Sequence, residues 1–223
     1  MAATLEAHGG LARWRSAREI RARLRSGGVA LASKGRPRAF RAYEATIATG
    51  EPRVFEAAAV SIESDAGAVL ARRENPRAFF RGFRRTLWWD HLDALHFAGY
   101  ALWNYFTASF LFLAPGVAAR EIEPWEESGE RWRRLHVTFP PGLPTHSREQ
   151  VFYFDAAGRL RRHDYTAEVF GGWARAAHYS AAHRPVPGLL FPTRRRVYPR
   201  RADGRPRPFP TLVWIDVDDV EVA

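Results

Sequence analysis

Between Asp93 and Arg120 the chain carries no formal charge, and apolar residues recur there at helical spacing. Leu92, Leu95, Gly99, Leu102, Trp103 and Phe106 fall three and four apart, while Ala94, Ala98, Tyr100 and Ala101 fill the other sides. A helix without a polar face has to be covered on every side. Thr86 offers a cap, so the spacing predicts a helix from Thr86 to about Phe106. The uncharged stretch is long enough for a bilayer. His96, Asn104, Thr107, Ser109 and Pro115-Gly116 interrupt it, however, and polar groups are costly in lipid. The reading is a buried helix, and the rest of the chain must wrap it.

That remainder reads as strands. Turn signals punctuate it at Ser26-Gly27-Gly28, Gly35-Arg36-Pro37, Thr49-Gly50-Glu51-Pro52, Ser64-Asp65-Ala66-Gly67, Pro140-Pro141-Gly142, Asp155-Ala156-Ala157-Gly158 and Ala202-Asp203-Gly204. The intervals are about 6–11 residues, as in an antiparallel meander. Leu135, Val137 and Phe139 alternate with Arg134, His136 and Thr138. A hairpin closed by Gly158 in the left-handed conformation pairs Asp155 with Arg159. That register sets Phe152 and Phe154 beside Leu160, with Tyr153, Arg161, His163 and Tyr165 opposite. Further strands are expected at 173–183, 190–199 and 211–222. At the N-terminus 2–14 reads as a helix that Gly9-Gly10 ends or interrupts. The expected fold class is mainly β (α+β): one domain over 1–223, a strongly curved antiparallel sheet of about ten strands forming a half-barrel around the buried helix.

The order of these segments carries a resemblance. Ala7-His8-Gly9-Gly10 and Trp14 lead into a strand at 20–24; a meander, an inserted apolar helix and the hairpin 152–160 follow, then Gly188-Leu189-Leu190-Phe191-Pro192-Thr193-Arg194-Arg195-Arg196-Val197-Tyr198. Together they resemble the lipoprotein-carrier superfamily typified by LolA and LolB. The resemblance implies an incomplete barrel with an apolar concave cavity for acyl chains. It lies in order and texture, so no individual functional residue carries over. The export signal and the lipid-attachment cysteine of family members are not seen in this sequence, which puts lipoprotein trafficking in doubt.

Composition narrows the chemistry. The absence of cysteine excludes a disulfide framework and a thiolate metal site. The net charge of +10 comes almost wholly from arginine, since Lys34 is the single lysine, and acids are interspersed among the cations. The first ten residues show no basic region followed by an apolar run, so a cytoplasmic chain is expected. The segment Arg77–Trp89 mixes cations with aromatics, which suits a membrane surface, single-stranded nucleic acid or a sheet edge next to a core helix. No nucleic-acid motif accompanies it, so nucleic acid is not expected as a partner; contact with a membrane surface is left open.

Thirty aromatic residues in 223 support an apolar pocket. The leading expectation is a binding protein for a lipid or another hydrophobic small molecule, with Tyr100, Trp103, Phe106, Arg196 and Trp214 as ligand contacts. An inward Arg194 or Arg196 would hold a ligand's carboxylate or phosphate, with Asp216 as its partner. The alternative is an enzyme using the same cavity, with His163, Tyr165 and His178 as acid–base groups. Neither a His-Glu-x-x-His helix nor a Gly-x-Ser-x-Gly elbow is present. No metal and no cofactor are expected.

Overall fold

The long helix begins and ends later than its apolar spacing predicts. In the computed structural model, which describes residues 1–49 and 58–223, α5 runs His91–Leu111. Its cap is Asp90. One Asp90 oxygen accepts from the Asp93 amide at 2.9 Å, and Asp93 accepts from the Asp90 amide at 3.0 Å. This reciprocal pair satisfies two orphan donors and places both carboxylates at the positive end of the helix dipole. Arg73 and Arg84 close over them. Thr86 ends a separate short helix, α4 (Gly82–Thr86), the next after the one-turn α3 (Val29–Ala32), and its hydroxyl donates to Gly82 O at 3.1 Å. The two carboxylates outcompete one threonine as a helix start. Every residue from Tyr100 to Leu111 is buried, as the missing polar face demands. No helix among the described residues is long and apolar enough to cross a membrane.

An antiparallel sheet covers this helix. Its strands are β1 (Glu19–Gly27), β2 (Tyr43–Ala48), β5 (Ala118–Glu127), β6 (Glu130–Thr138), β7 (Glu149–Phe154), β8 (Leu160–Thr166), β9 (Arg175–Val186), β10 (Leu189–Pro199) and β11 (Val213–Val222). They lie in the order β2-β1-β11-β10-β9-β8-β7-β6-β5, and the outer strands β2 and β5 do not meet, so the barrel stays open. A separate hairpin, β3 (Ala59–Glu63) with β4 (Val69–Glu74), leaves the sheet and turns at Ser64–Gly67. The expected single sheet is therefore nine strands plus this hairpin. The expected turn at Thr49-Gly50-Glu51-Pro52 lies, from Gly50 onward, outside the described residues. At the outer edge, the register of β5 breaks between Ile122 and Trp125, around Pro124.

Helix and sheet share one core. Trp103 and Phe106 of α5 belong to the same buried cluster as Leu135, Phe152, Phe191 and Val217 of the concave sheet face. Two N-terminal helices, α1 (Ala2–Ala7) and α2 (Gly10–Ser16), close one end, and Trp14 stacks on Phe110 with ring centroids 4.3 Å apart. They are separated where Gly9 takes φ 109°; a Cβ there would sit 2.0 Å from Gly188 O. Only glycine allows both that conformation and that approach. The break lets the His8 carbonyl accept from the Leu190 amide at 3.2 Å, which ties the helices to β10.

Candidate functional site

One extra residue decides what faces the helix. Phe154 pairs with Leu160 but Tyr153 pairs with Arg162, so Arg161 is left as a bulge. Beyond a bulge every side chain changes face relative to a regular ladder. His163 therefore lies opposite Phe152, with rings stacked at 4.1 Å, and both face inward. The expected register put His163 and Tyr165 on the face of Tyr153; the bulge reverses that assignment. Tyr153 instead shares the convex face with Asp164, to which its hydroxyl donates at 2.8 Å. The turn itself is as expected, with Gly158 at φ 81° and the Asp155 amide donating to Arg159 O.

From this register the inner polar groups follow. His178 of β9 stands opposite His163, Val197 of β10 opposite His178, and Arg195 opposite Ser180. Above them α5 supplies Tyr100 and Tyr105, and the β6–β7 connection supplies His146. Tyr105 Oη lies 2.9 Å from His146 Nε2 and 3.2 Å from Tyr165 Oη, while Tyr100 Oη lies 3.3 Å from His146 Nδ1. The His146 ring stacks on Tyr165 at 4.0 Å. His163 is held by Gln150. His178 meets the Tyr105 ring edge-on at 4.5 Å, and neither of its ring nitrogens has a hydrogen-bond partner among the described residues.

Arg195 crosses this layer. It donates to Tyr105 O at 2.7 Å and Ser180 Oγ at 3.2 Å, and its guanidinium lies 5.1 Å from the Tyr105 ring centroid. Among the described residues no carboxylate pairs with it. Burial pulls its pKa down to about 10. Burial, with the nearby Arg77 charge, pulls His146 down to about 3. Burial and the field of Arg195 hold His178 well below the usual histidine value, and burial followed by the His146 and Arg195 charges does the same to His163. Tyr105 is pushed up to about 12 by burial, and Tyr165 is raised well above its ordinary value. At neutral pH the histidines are neutral, the tyrosines keep their protons, and the layer carries one positive charge.

A cleft of about 490 Å³ opens beside this layer. Phe97, Phe170, Val197, Leu212 and Val213 give it apolar walls, and the buried Tyr165 and His146 form its deepest lining. Trp173, 75% exposed, borders it toward solvent, and the ends of β9 and β10 at Arg175 and Arg200 reach its margin with side chains in the strand phase of the convex face. A volume in this range, mostly apolar with a few polar groups, is the usual form of a small-molecule pocket. Among the described residues no three His, Asp or Glu side chains converge to hold a metal ion.

Of the residues singled out from sequence, the fold brings Tyr165 to the cleft and sets Tyr100 behind it on His146. His163 and His178 lie in the same layer, but neither lines the cleft. Trp103 packs in the core away from it, and Phe106 borders a small void of about 20 Å³ beside Arg195. Arg196 faces the convex side, where it donates to Asp216 at 2.8 Å, and Trp214 lies directly opposite it. The expected partner is present, but the inward arginine is Arg195. Its direction was readable from parity: Leu189, Phe191 and Val197 share its phase along β10, and an inward strand face has period two. His146 left no such signal, because it sits outside any periodic element.

No family model matches the chain, and none of the curated proteins does. Solved structures are similar to it. A domain described as an outer membrane lipoprotein-sorting protein domain, from Vibrio parahaemolyticus, is 9% identical over 95% of this chain and 88% of its own, with a TM-score of 0.51. A LolA superfamily protein from Nitrosomonas europaea is 10% identical over 99% and 92%, at TM-score 0.49. A DUF1329 family protein from Desulfovibrio piger is 11% identical over 99% and 90%, at 0.48. At these identities the likeness is one of fold, and the Vibrio domain carries it. The open half-barrel around a buried helix, which the sequence resemblance implied, is the fold of this chain.

Proposed function

We propose that this LolA-like half-barrel binds a lipid or another hydrophobic small molecule in the cleft between α5 and the concave sheet. The observation that carries the reading is the cleft itself: about 490 Å³, apolar walls and a neutral deep lining. Hydrophobic transfer supplies affinity at about 25 cal/mol per Å² of apolar surface, less the cost of ordering the ligand. A binding role is favoured over catalysis because, of His163, Tyr165 and His178, only Tyr165 reaches the lining. A cytoplasmic location is part of the proposal, and cell fractionation tests it.

Native mass spectrometry of the purified protein and titration with N-phenyl-1-naphthylamine, a neutral apolar fluorophore, test the binding. Wild type is expected to retain lipid or to bind the fluorophore. Ala174→Trp, which fills the cleft from its lining, is expected to abolish that binding while the melting temperature is kept. Wild-type protein that carries no lipid and binds no apolar probe would overturn the reading.

A further inference from the structure

We infer that the surface formed by α4 and the connection after α3 docks on a membrane leaflet with anionic headgroups, beside the cleft. The inference goes beyond the binding role proposed above and names the partner surface. The segment Arg77–Trp89 forms no strand; it is a short 3-10 turn, Pro76–Phe79, followed by α4. Its apolar residues divide by direction. Phe80 and Trp89 are buried, whereas Phe79, Phe83, Leu87 and Trp88 are exposed, Phe83 by 71% and Leu87 and Trp88 by 55% each. The Leu87 amide donates to Phe83 O at 2.9 Å, so these two side chains stand one turn apart on the same face. Exposed apolar side chains grouped in this way mark an interaction surface.

The surface is held in place. Lys34, 2% exposed, donates to Arg85 O at 2.8 Å and Thr86 O at 2.6 Å, the last carbonyls of α4. Arg36 donates to Trp89 O at 2.8 Å and lies 5.4 Å from the centroid of the Trp88 ring. That ring covers Gly35, where a Cβ would come within 2.5 Å of it. Two distant parts of the chain thus fix Phe83, Leu87 and Trp88 outward.

Charge decides what they meet. No aspartate or glutamate occurs from Asn75 to Trp89, which includes Arg77, Arg81, Arg84 and Arg85. None occurs between Glu19 and Glu44 either, where Arg36, Arg38 and Arg41 follow Lys34. The flanking carboxylates are taken, Glu74 by Arg72 at 2.7 Å and Asp90 by Arg84 at 2.8 Å. Arg38 and Arg81 are exposed, and among the described residues neither forms an ion pair. Apolar side chains with arginines that can reach phosphates suit the interface of an anionic leaflet, where tryptophan is enriched. Placement agrees. Trp89 packs on Phe97 and Phe170, with centroids 5.5 and 4.6 Å away, and both line the cleft, as do Val29 and Ala30 of α3. A docked leaflet therefore lies next to the cleft.

Sedimentation of the full chain with vesicles tests this, comparing phosphatidylcholine alone with a mixture of phosphatidylcholine and phosphatidylglycerol. Wild type is expected to bind the mixture about tenfold tighter or more, and added salt to weaken that binding. Phe83→Ser/Leu87→Ser is expected to abolish binding, and Arg38→Gln/Arg81→Gln to remove most of the preference for anionic vesicles. All four positions are exposed, so the melting temperature is expected to be kept. Leu113→Ser, exposed beyond the far end of α5 at about 30 Å by helix rise, is expected to bind as wild type does. Ala174→Trp, which fills the cleft, is expected to dock unchanged. Wild type left in the supernatant, or a serine pair that still sediments, would overturn the inference while the binding role stands. Loss of docking in Ala174→Trp would move the contact into the cleft and overturn it too. So would single-stranded oligothymidine held by the same residues, which would assign the surface to nucleic acid. Wild type that docks on vesicles but takes up neither lipid nor fluorophore would overturn the binding role alone.

Discussion

Two arginines are buried in this sheet, on opposite faces. Arg162, fully buried on the convex face, donates to Asp164 at 2.7 Å and to Glu127 at 2.8 Å, and the rings of Tyr153 and Tyr179 flank it. Burial alone would lower its pKa, but the Asp164 charge and hydrogen bonds raise it above the arginine range. Arg195, 4% exposed on the concave face, has neutral partners and is pulled down. Equal burial gives opposite shifts because only one face supplies counter-ions. The convex face is electrostatically closed. The concave face stores an uncompensated positive charge beneath the helix, and the neighbouring His163 and His178 stay neutral chiefly through burial and secondarily through that charge.

The largest effect expected from this difference is acid sensitivity of the inner layer. His96, His146, His163 and His178 have folded pKa values below the unfolded 6.5, with His96 at about 4 and His146 at about 3, chiefly through burial. Above pH 6.5 they are neutral in both states and cost nothing. As pH falls below 6.5 the unfolded chain takes up protons that the fold does not, so stability drops. At pH 5.5 each costs roughly 1.4 kcal/mol, or about 5–6 kcal/mol for the four. Denaturant melts at pH 7.5 and 5.5 measure this; equal midpoints would show that the layer accepts protons without unfolding.

Next comes the convex pair. Asp164→Ala leaves Arg162 short of its main counter-ion in the interior, a loss of about 3–5 kcal/mol. Urea unfolding that moves by less than 1 kcal/mol would show that Glu127 suffices alone.

Arg195→Met should behave in the opposite way. It removes a charge that nothing neutralises, at the cost of two hydrogen bonds, so stability is expected to change by about 1 kcal/mol or less. Because burial comes before the field of Arg195 in holding down His163 and His178, the same variant should keep the stability loss between pH 7.5 and 5.5. A loss above 3 kcal/mol would place Arg195 in the same class as Arg162 and end the contrast.

The smallest effect belongs to an exposed pair. Arg133 holds Glu121 through two bonds of 2.9 Å, yet both are solvated. Arg133→Ala is expected to cost below about 0.5 kcal/mol. A melting temperature several degrees lower would mean that the edge matters more than its exposure implies.

The buried helix, the meander and the Gly158 turn were legible because each depends on local pattern: the absence of charge over 94–119, turn residues at intervals, and a glycine where the backbone needs positive φ. The helix start was misplaced because a threonine cap is visible locally, whereas the Asp90–Asp93 pair gains its strength from Arg73 and Arg84. The inner face of β8 was misassigned because nothing in Leu160-Arg161-Arg162-His163 announces a bulge. Arg161 and Arg162 are the same residue type in opposite situations, one at the irregularity and one fully buried. The cleft gathers residues from distant parts of the chain, Val29 to Val213, and no spacing rule reports such convergence.

A half-barrel that does not close has a rim of unpaired backbone at each end of its strand order, and such a rim is a template for a strand from another molecule. On β5 the break at Pro124 interrupts that template, since proline has no amide hydrogen to donate. Glu121, Glu123, Glu126 and Glu127 place negative charge along the same strand. A second copy pairing through its own β5 would present the identical acidic, interrupted edge. Remaining open is therefore compatible with remaining separate: on its β5 side the gap is bordered by a strand ill suited to fibre growth.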